Sequence, residues 1–244
     1  MTKTSSGLGP RSGAWLVFFA TGSVLVLEIL SLRLVAPYLG LTLETSTAVI
    51  GFALAAIAVG AWLGGRTADV ISPERLLGPT MLVAGVLVLF VGPIVRWTGE
   101  QVRGGDVSAV LLMAAVAVFA PAALLSAISP MVVKLRLESL AETGTVVGGL
   151  SGVGTLGALV ATFGTGFVLV AAMPTSTILL VLGIALVILG VVLAIRLRGM
   201  SAALLPLVVA VLGVVASFSI PEPCDVETAY HCARVVPDPI RDTG

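Results

Sequence analysis

Long stretches without ionisable side chains, broken at charged residues and prolines, divide the chain into apolar segments. The longest charge-free run covers residues 143–195. A membrane-spanning helix needs about 20 mainly apolar residues to cross a hydrocarbon core of roughly 30 Å, so this run can hold two spans with a turn at Met173-Pro174. Read in this way, the sequence predicts seven spans, over residues 14–36, 46–65, 77–95, 107–128, 146–173, 175–195 and 202–220.

Each predicted span is apolar on all sides, which is typical of a helix surrounded by lipid and other helices. Composition agrees, because 58% of residues are hydrophobic and 11% are charged, whereas soluble proteins carry about 25% charged residues. The mean hydropathy is +1.15. The predicted fold class is therefore all-α: a polytopic transmembrane helix bundle of about seven spans over residues 1–220, followed by a short extramembrane tail, residues 221–244. Pro130 is expected to end the fourth span, with a short interfacial helix after it.

Lysine and arginine in short connections predict orientation, since they are retained on the cytoplasmic side. Among the connections between spans of a seven-span arrangement, only Arg96 and Arg103 fall on the second side. The N-terminus is therefore predicted to be cytoplasmic, and an odd number of spans places the tail outside. The positive residues on the cytoplasmic side are Lys3, Arg11, Arg66, Arg75, Lys134, Arg136, Arg196 and Arg198.

Both cysteines of the chain, Cys224 and Cys232, lie in this tail. Thiols in an oxidising compartment tend to pair, so a disulfide that closes a small loop is the first interpretation. Two unpaired thiols on a cytoplasmic tail are the alternative if one span is miscounted. A metal site that adds His231 ranks third, because adjacent His-Cys matches no familiar zinc spacing.

The predicted spans contain two charged residues, Glu28 and Arg33, and ionisable groups are expensive in hydrocarbon. Arg33 lies close enough to the outer interface to extend its guanidinium to water, but Glu28 does not. Because Glu28 shares a stripe of the helix with Thr21 and Ser31, that stripe is expected to face the bundle. Glu28 is then either a proton or cation site, including a contact to a polyamine, or a hydrogen-bond anchor between helices, and the second interpretation is favoured.

Small residues recur at the four-residue spacing that lets helix backbones approach closely. The pairs are Gly60 with Gly64 and Gly148 with Gly152, and Gly157 continues the second series. Helix packing is the first interpretation of these glycines. The density of glycine in the fifth span also suggests a flexible or broken helix that lines a transport path.

Four segments, in their order and spacing, resemble the membrane domain of bacterial spermidine synthase-like proteins, in which a multi-span region precedes an aminopropyltransferase-like domain. The tail adds residues 227–230 and 234–236, which look like the first β-strand of that soluble domain. The resemblance implies a multi-pass protein of the bacterial cell membrane with a polyamine-related role. The four segments are LEILSLRLVAPYLG (27–40), AIAVGAWLGGRTAD (56–69), SAISPMVVK (126–134) and VGGLSGVGTLGALVATFGTGFVL (147–169).

An aminopropyltransferase needs a Gly-rich nucleotide-binding turn and acidic residues that deprotonate the amine, and nothing after Val236 supplies them. We therefore expect no catalytic residue, no metal site and no cofactor in residues 1–244. The expected partners are the lipid bilayer, an aminopropyltransferase-like domain in a longer chain or encoded separately, and, as one option, a second copy of the chain. A net charge of zero gives no basic surface for nucleic acid.

The leading functional hypothesis is thus a membrane domain that anchors or serves an aminopropyltransferase-like domain and senses or moves a polyamine. The alternative is a small secondary transporter or transporter half. It is suggested by Gly65-x-x-x-Asp69 with Arg66, which resembles part of the loop motif of the major facilitator group. A purely structural role in assembly is the third hypothesis.

Overall fold

The computed structural model describes residues 9–102, 107–137 and 143–199, four positions between residues 202 and 220, and two short strands. Six helices in the described ranges are long and apolar enough to cross a membrane, and each corresponds to one of the first six predicted spans. The helices are α1 (Pro10–Leu39), α2 (Leu43–Val70), α3 (Pro73–Gln101), α4 (Val107–Arg136), α5 (Thr143–Phe163) with a π-helical segment (Gly164–Leu169) and a final turn α6 (Val170–Ala172), and α7 (Thr175–Arg198).

Helix α4 is longer than predicted, because it continues through Pro130 to Arg136. The expectation that Pro130 ends the span and that an interfacial helix follows is therefore wrong. A proline inside a helix removes one backbone hydrogen bond, but neighbouring helices and hydroxyl side chains can satisfy the freed carbonyl in a membrane protein. Pro37, Pro79, Pro93 and Pro121 also lie inside helices.

Helix α4 lies at the centre of the described bundle, with α1, α2 and α3 packed around it. Helix α5 packs mainly on α1, and α7 packs mainly on α3. Successive helices alternate in direction. We call the end that holds the start of α1 and the α2–α3 turn the near end, and the opposite end the far end.

The closest helix crossing joins α2 to α4 through Gly60 and Gly64, which are both buried. A Cβ atom on Gly64 would lie 2.5 Å from the carbonyl oxygen of Ala127, and one on Gly60 would overlap the carbonyl oxygen of Ala123. These glycines allow backbone contact between the two helices, as small residues do in membrane bundles.

The α1–α5 crossing is formed at Gly157, where a Cβ atom would overlap the carbonyl oxygen of Phe18. Gly148 and Gly152 are exposed, and an added Cβ would have no described atom within 4 Å. The pair Gly148 and Gly152 therefore contributes to no helix crossing in the described part of the chain. Leu150 and Gly154, which are buried, face the bundle instead.

The outer surface of the described bundle is rich in large apolar side chains. Trp15, Trp97 and Phe167 are 68%, 66% and 75% exposed, respectively. A chain surrounded by water would bury such groups, whereas lipid tails are as apolar as the side chains themselves. The exposed aromatic residues therefore agree with a bundle that sits in a membrane.

The seventh predicted span falls mostly outside the described residues, with helical backbone given at Val208, Val211, Leu212 and Val215. In the tail, Val226–Glu227 pairs antiparallel with Cys232–Ala233. Cys224 lies outside the described residues, and only the backbone of Cys232 is described. The predicted disulfide and the predicted metal alternative thus stay predictions.

Candidate functional site: a groove between α1, α2, α4 and α5

A groove of about 910 Å³ separates α5 from α2 and α4. Helix α1 forms its floor because both α4 and α5 pack on α1 but make few contacts with each other. The groove begins at the near end and runs toward the middle of the bundle. Its lining is mainly apolar, and its polar members are Thr21, Asp69, Ser126, Ser129, Lys134, Ser151 and Thr155.

An ion pair stands at the near end of the groove. Asp69, in the last turn of α2, accepts a hydrogen bond from Nζ of Lys134 on α4. The Asp69 side chain is 71% exposed and that of Lys134 is 43% exposed, so water screens the pair strongly. Exposed pairs contribute about 0–1 kcal/mol to stability. A ligand that replaces one partner of this pair would therefore lower the stability of the fold very little.

Hydroxyl groups and one backbone carbonyl continue the polar wall beyond the ion pair. Ser126 and Ser129 are half-buried on α4 and line the groove. Pro130 has no backbone N–H, so the carbonyl of Ser126, four residues earlier, lacks its usual partner within the helix. Ser151 and Thr155 contribute hydroxyls from the α5 wall.

These groups define what the groove can hold. Hydroxyls, a carbonyl and a carboxylate all accept hydrogen bonds, whereas the ammonium group of Lys134 only donates. The rest of the lining is aliphatic. The arrangement suits a molecule that combines aliphatic segments with hydrogen-bond donors or positive charge, such as an alkyl amine.

The predicted intramembrane residues on α1 do not form one cluster. Thr21 faces α5, since a Cβ atom on Gly154 would lie 3.2 Å from its Oγ1. Ser31 is fully buried and donates a hydrogen bond of 3.2 Å to the carbonyl oxygen of Ala117 on α4. Glu28 and Arg33 are both half-buried on the same helix.

The Ser31 contact follows from the position of Pro121. Because Pro121 cannot donate to the carbonyl four residues earlier, it frees the carbonyl of Ala117, and Ser31 supplies the missing donor from the neighbouring helix. Sequence reasoning singled out Ser31 but missed its link to Pro121. The signal was available, since a proline inside a span always frees the carbonyl at the fourth position before it.

Sequence reasoning also missed the groove residues Asp69, Lys134 and Ser126 as one site. Asp69 and Lys134 lie 65 positions apart. Each stands at the end of an apolar segment, where a charged residue is expected for membrane reasons alone. Only the α2–α4 crossing brings them together, and no pattern along the chain encodes which helix packs on which.

The described residues contain no group of three or more His, Cys, Asp or Glu side chains that could hold a metal ion. Comparison with protein-family models, with curated proteins and with solved structures finds no match to this chain. The function is therefore argued from the groove and from the sequence.

Proposed function

We propose that the chain is the membrane domain of a spermidine synthase-like protein, and that the groove binds an aliphatic amine of the polyamine class. In this proposal the domain anchors an aminopropyltransferase-like domain and serves it as a membrane-bound amine sensor or carrier. The catalytic step itself belongs to that second domain, because the nucleotide-binding turn and the acidic residues that it needs are lacking in residues 1–244.

The observation that carries the proposal is the convergence of separate sequence segments on the groove. Three of the four segments that resemble the family meet there: residues 56–69 from α2, 126–134 from α4 and 147–169 from α5. Helices α3 and α7 contribute no lining residue to this groove. The resemblance is thus concentrated at a ligand-sized space rather than spread evenly over the bundle.

A polyamine suits the chemistry of this space. Its ammonium groups are hydrogen-bond donors, and they match the Asp69 carboxylate, the Ser126 carbonyl and the hydroxyls of the wall. Its methylene segments match the aliphatic lining between those acceptors. Lys134 is the one lining residue that repels an amine. The Asp69 carboxylate therefore has to break its ion pair with Lys134 when it binds the ammonium group of the ligand.

The test is a thermal-stability titration of the purified chain in lipid nanodiscs, with spermidine as the probe. A ligand that binds only the folded state raises the unfolding midpoint with concentration. We expect spermidine to stabilise the native chain, Asp69→Asn to lose the shift, and Lys134→Met to enlarge it by removing the competing cation. Glu44→Gln, an exposed carboxylate at the far end, is the matched control and should behave as the native chain does.

An equal spermidine shift in all four proteins would mean that the amine binds elsewhere or only screens surface charge. If spermidine leaves the unfolding midpoint of the native chain unchanged, even at concentrations that saturate its binding to lipid, the polyamine proposal is excluded. The response of Lys134→Met distinguishes a specific site from a general carboxylate effect, because only a ligand that competes with Lys134 gains from its removal.

We further propose seven spans with a cytoplasmic N-terminus and an external tail that carries a Cys224–Cys232 disulfide. The excess of lysine and arginine on one side of the seven-span arrangement supports this topology. A membrane-impermeant maleimide, applied to intact cells, should label Cys224 and Cys232 only after reduction. Labelling that requires permeabilised cells but no reductant would place the tail inside and contradict the seventh span.

A further inference from the structure

One buried hydroxyl in the described membrane region lacks a hydrogen bond. Thr165 is fully buried in the π-helical segment, and its Oγ1 has no partner. Five other hydroxyls inside the helices donate to the carbonyl four residues earlier. They are those of Ser23, Thr67, Thr98, Thr155 and Thr162.

Local geometry gives Thr165 an unusual backbone. The segment Gly164–Leu169 is wound as a π-helix, and the backbone N–H of Val170 bonds to the carbonyl oxygen of Thr165. Single π-helical turns inside α-helices occur frequently at functional sites. A buried hydroxyl without a partner is unfavourable, so its persistence here indicates a partner that is not a described protein atom.

Glu28 lies at the corresponding level of α1. Helices α1 and α5 run parallel, and their crossing sets the register, since Gly22 approaches Gly157 and Ala161. Ala161 and Gly22 differ by 139 positions in the chain, and Gly157 and Gly22 differ by 135. A similar offset places Thr165 beside residues 26–30 of α1.

Both residues continue the stripes that line the groove. On α1 the groove is lined by Val17, Thr21 and Val24, and Glu28 is the next position on that stripe. At about 1.5 Å per residue, Glu28 lies roughly 6 Å beyond Val24. On α5 the lining ends at Ala158, and Thr165 follows two turns later on the same face.

The Glu28 carboxyl also lacks a protein partner within the described part of the chain, where no hydrogen bond or ion pair reaches it. The packed helices bring no compensating charge to its level, because α4 has no ionisable residue between Val107 and Val133 and α5 has none at all. Among the residues that the structure describes, the other charged groups of this half of the bundle are Arg33 on α1 itself and Glu44, Arg96 and Glu100 at the far ends of α2 and α3.

We infer that Glu28 and Thr165 form a proton-binding site just beyond the inner end of the groove, with Glu28 held as a neutral acid bonded to Oγ1 of Thr165 through one water molecule. A proton needs one acceptor, whereas Ca²⁺ and Mg²⁺ take six or more oxygen ligands. The groove opens at the near end beside Asp69 and includes the Thr21 hydroxyl, so water has access to it from that end. This site does not depend on which ligand the groove binds or on the identity of a soluble domain.

The test is infrared difference spectroscopy of the full chain in nanodiscs, labelled with carbon-13 glutamate, over a pH titration. We expect a protonated-carboxyl band in the native chain at neutral pH and its complete loss in Glu28→Gln. Thr165→Val should shift the band, because the acid loses its hydroxyl partner, and Thr165→Ser should restore it. Thr162→Val is the matched control, since that hydroxyl bonds within its own helix and should leave the band unchanged.

Absence of the band from the native chain at neutral pH would overturn the inference, as would its persistence in Glu28→Gln. Identical bands in Thr165→Val and the native chain would remove Thr165 from the site. Size-exclusion profiles and circular dichroism of each variant establish that the spectra come from folded protein, and the Thr165→Ser variant retains the hydroxyl.

Discussion

Two glycine pairs with the same four-residue spacing have opposite environments in this bundle. Gly60 and Gly64 are buried in contact with the backbone of α4, whereas Gly148 and Gly152 are exposed, and a Cβ added at either would meet no described atom of another helix within 4 Å. The spacing indicates that another helix can approach closely on that face. It does not predict that a helix packs there, because packing depends on where the neighbouring helices lie.

The same difference shapes the groove beside α5. At Gly60 and Gly64 the α2–α4 pair is closed by backbone contact, so no space remains between these two helices at that level. Helix α5 uses its buried positions, Leu150, Gly154 and Gly157, to pack on the α1 side. It therefore leaves a gap toward α2 and α4, and the polar side chains of that gap stay accessible.

The largest predicted effect on stability comes from adding a methyl group at Gly60. Gly60→Ala places a methyl group where the carbonyl of Ala123 already lies, so α2 and α4 must separate. Overpacking of this kind costs about 1–3 kcal/mol, and we expect the upper end because backbone cannot rotate away as a side chain does. For a chain of this size that is a fall of about 5–10 °C in the unfolding midpoint, measured by thermal size exclusion.

Gly152→Ala is the matched control for Gly60→Ala, since it adds the same methyl group at the same motif spacing. Because nothing described lies within 4 Å, we expect an unchanged or slightly higher midpoint from the better helix propensity of alanine, which is worth up to about 1 kcal/mol. If Gly152→Ala lowers the unfolding midpoint as much as Gly60→Ala does, this face of α5 is buried in the assembled protein. That result would contradict the difference drawn between the two glycine pairs.

These cases indicate how far the sequence alone predicts this molecule. The positions of six helices follow from charge-free runs, because hydrocarbon excludes ionisable groups wherever the chain folds. The pairing of helices does not follow, so Asp69 and Lys134 were not recognised as neighbours. Sequence reasoning singled out Glu28, Thr21 and Ser31, but the contacts of Thr21 and Ser31 lie on α5 and α4, and a stripe on one helix does not identify them.

A second prediction concerns the hydrogen bond that replaces a missing helix bond. Ser31→Ala leaves the Ala117 carbonyl without a donor, and interhelical hydrogen bonds in membranes are worth about 0.6–1.7 kcal/mol. In a Pro121→Ala background the helix regains its own N–H donor for Ala117, so Ser31→Ala should have almost no further effect. The measurement is a double-mutant cycle on unfolding midpoints.

Ser23→Ala provides the control for that cycle, because the Ser23 hydroxyl donates to Phe19 within its own helix and no proline is involved. Its effect should be small and independent of Pro121. Additive effects of Ser31→Ala and Pro121→Ala would contradict the coupling, and would mean that Ser31 stabilises the bundle by packing alone.

The smallest predicted effect on stability is at the ion pair, which lies at the open end of the groove. Asp69→Asn should lower the free energy of unfolding by less than about 1 kcal/mol, because both partners are largely exposed and the charges are screened. The loss should shrink further as salt is added. A loss of several kcal/mol that persists at high salt would instead make Asp69 a structural residue of the α2–α4 crossing. In that case a single substitution of Asp69 would not separate amine binding from packing. A near-zero change in the free energy of unfolding, together with loss of the spermidine response, would assign Asp69 to ligand binding.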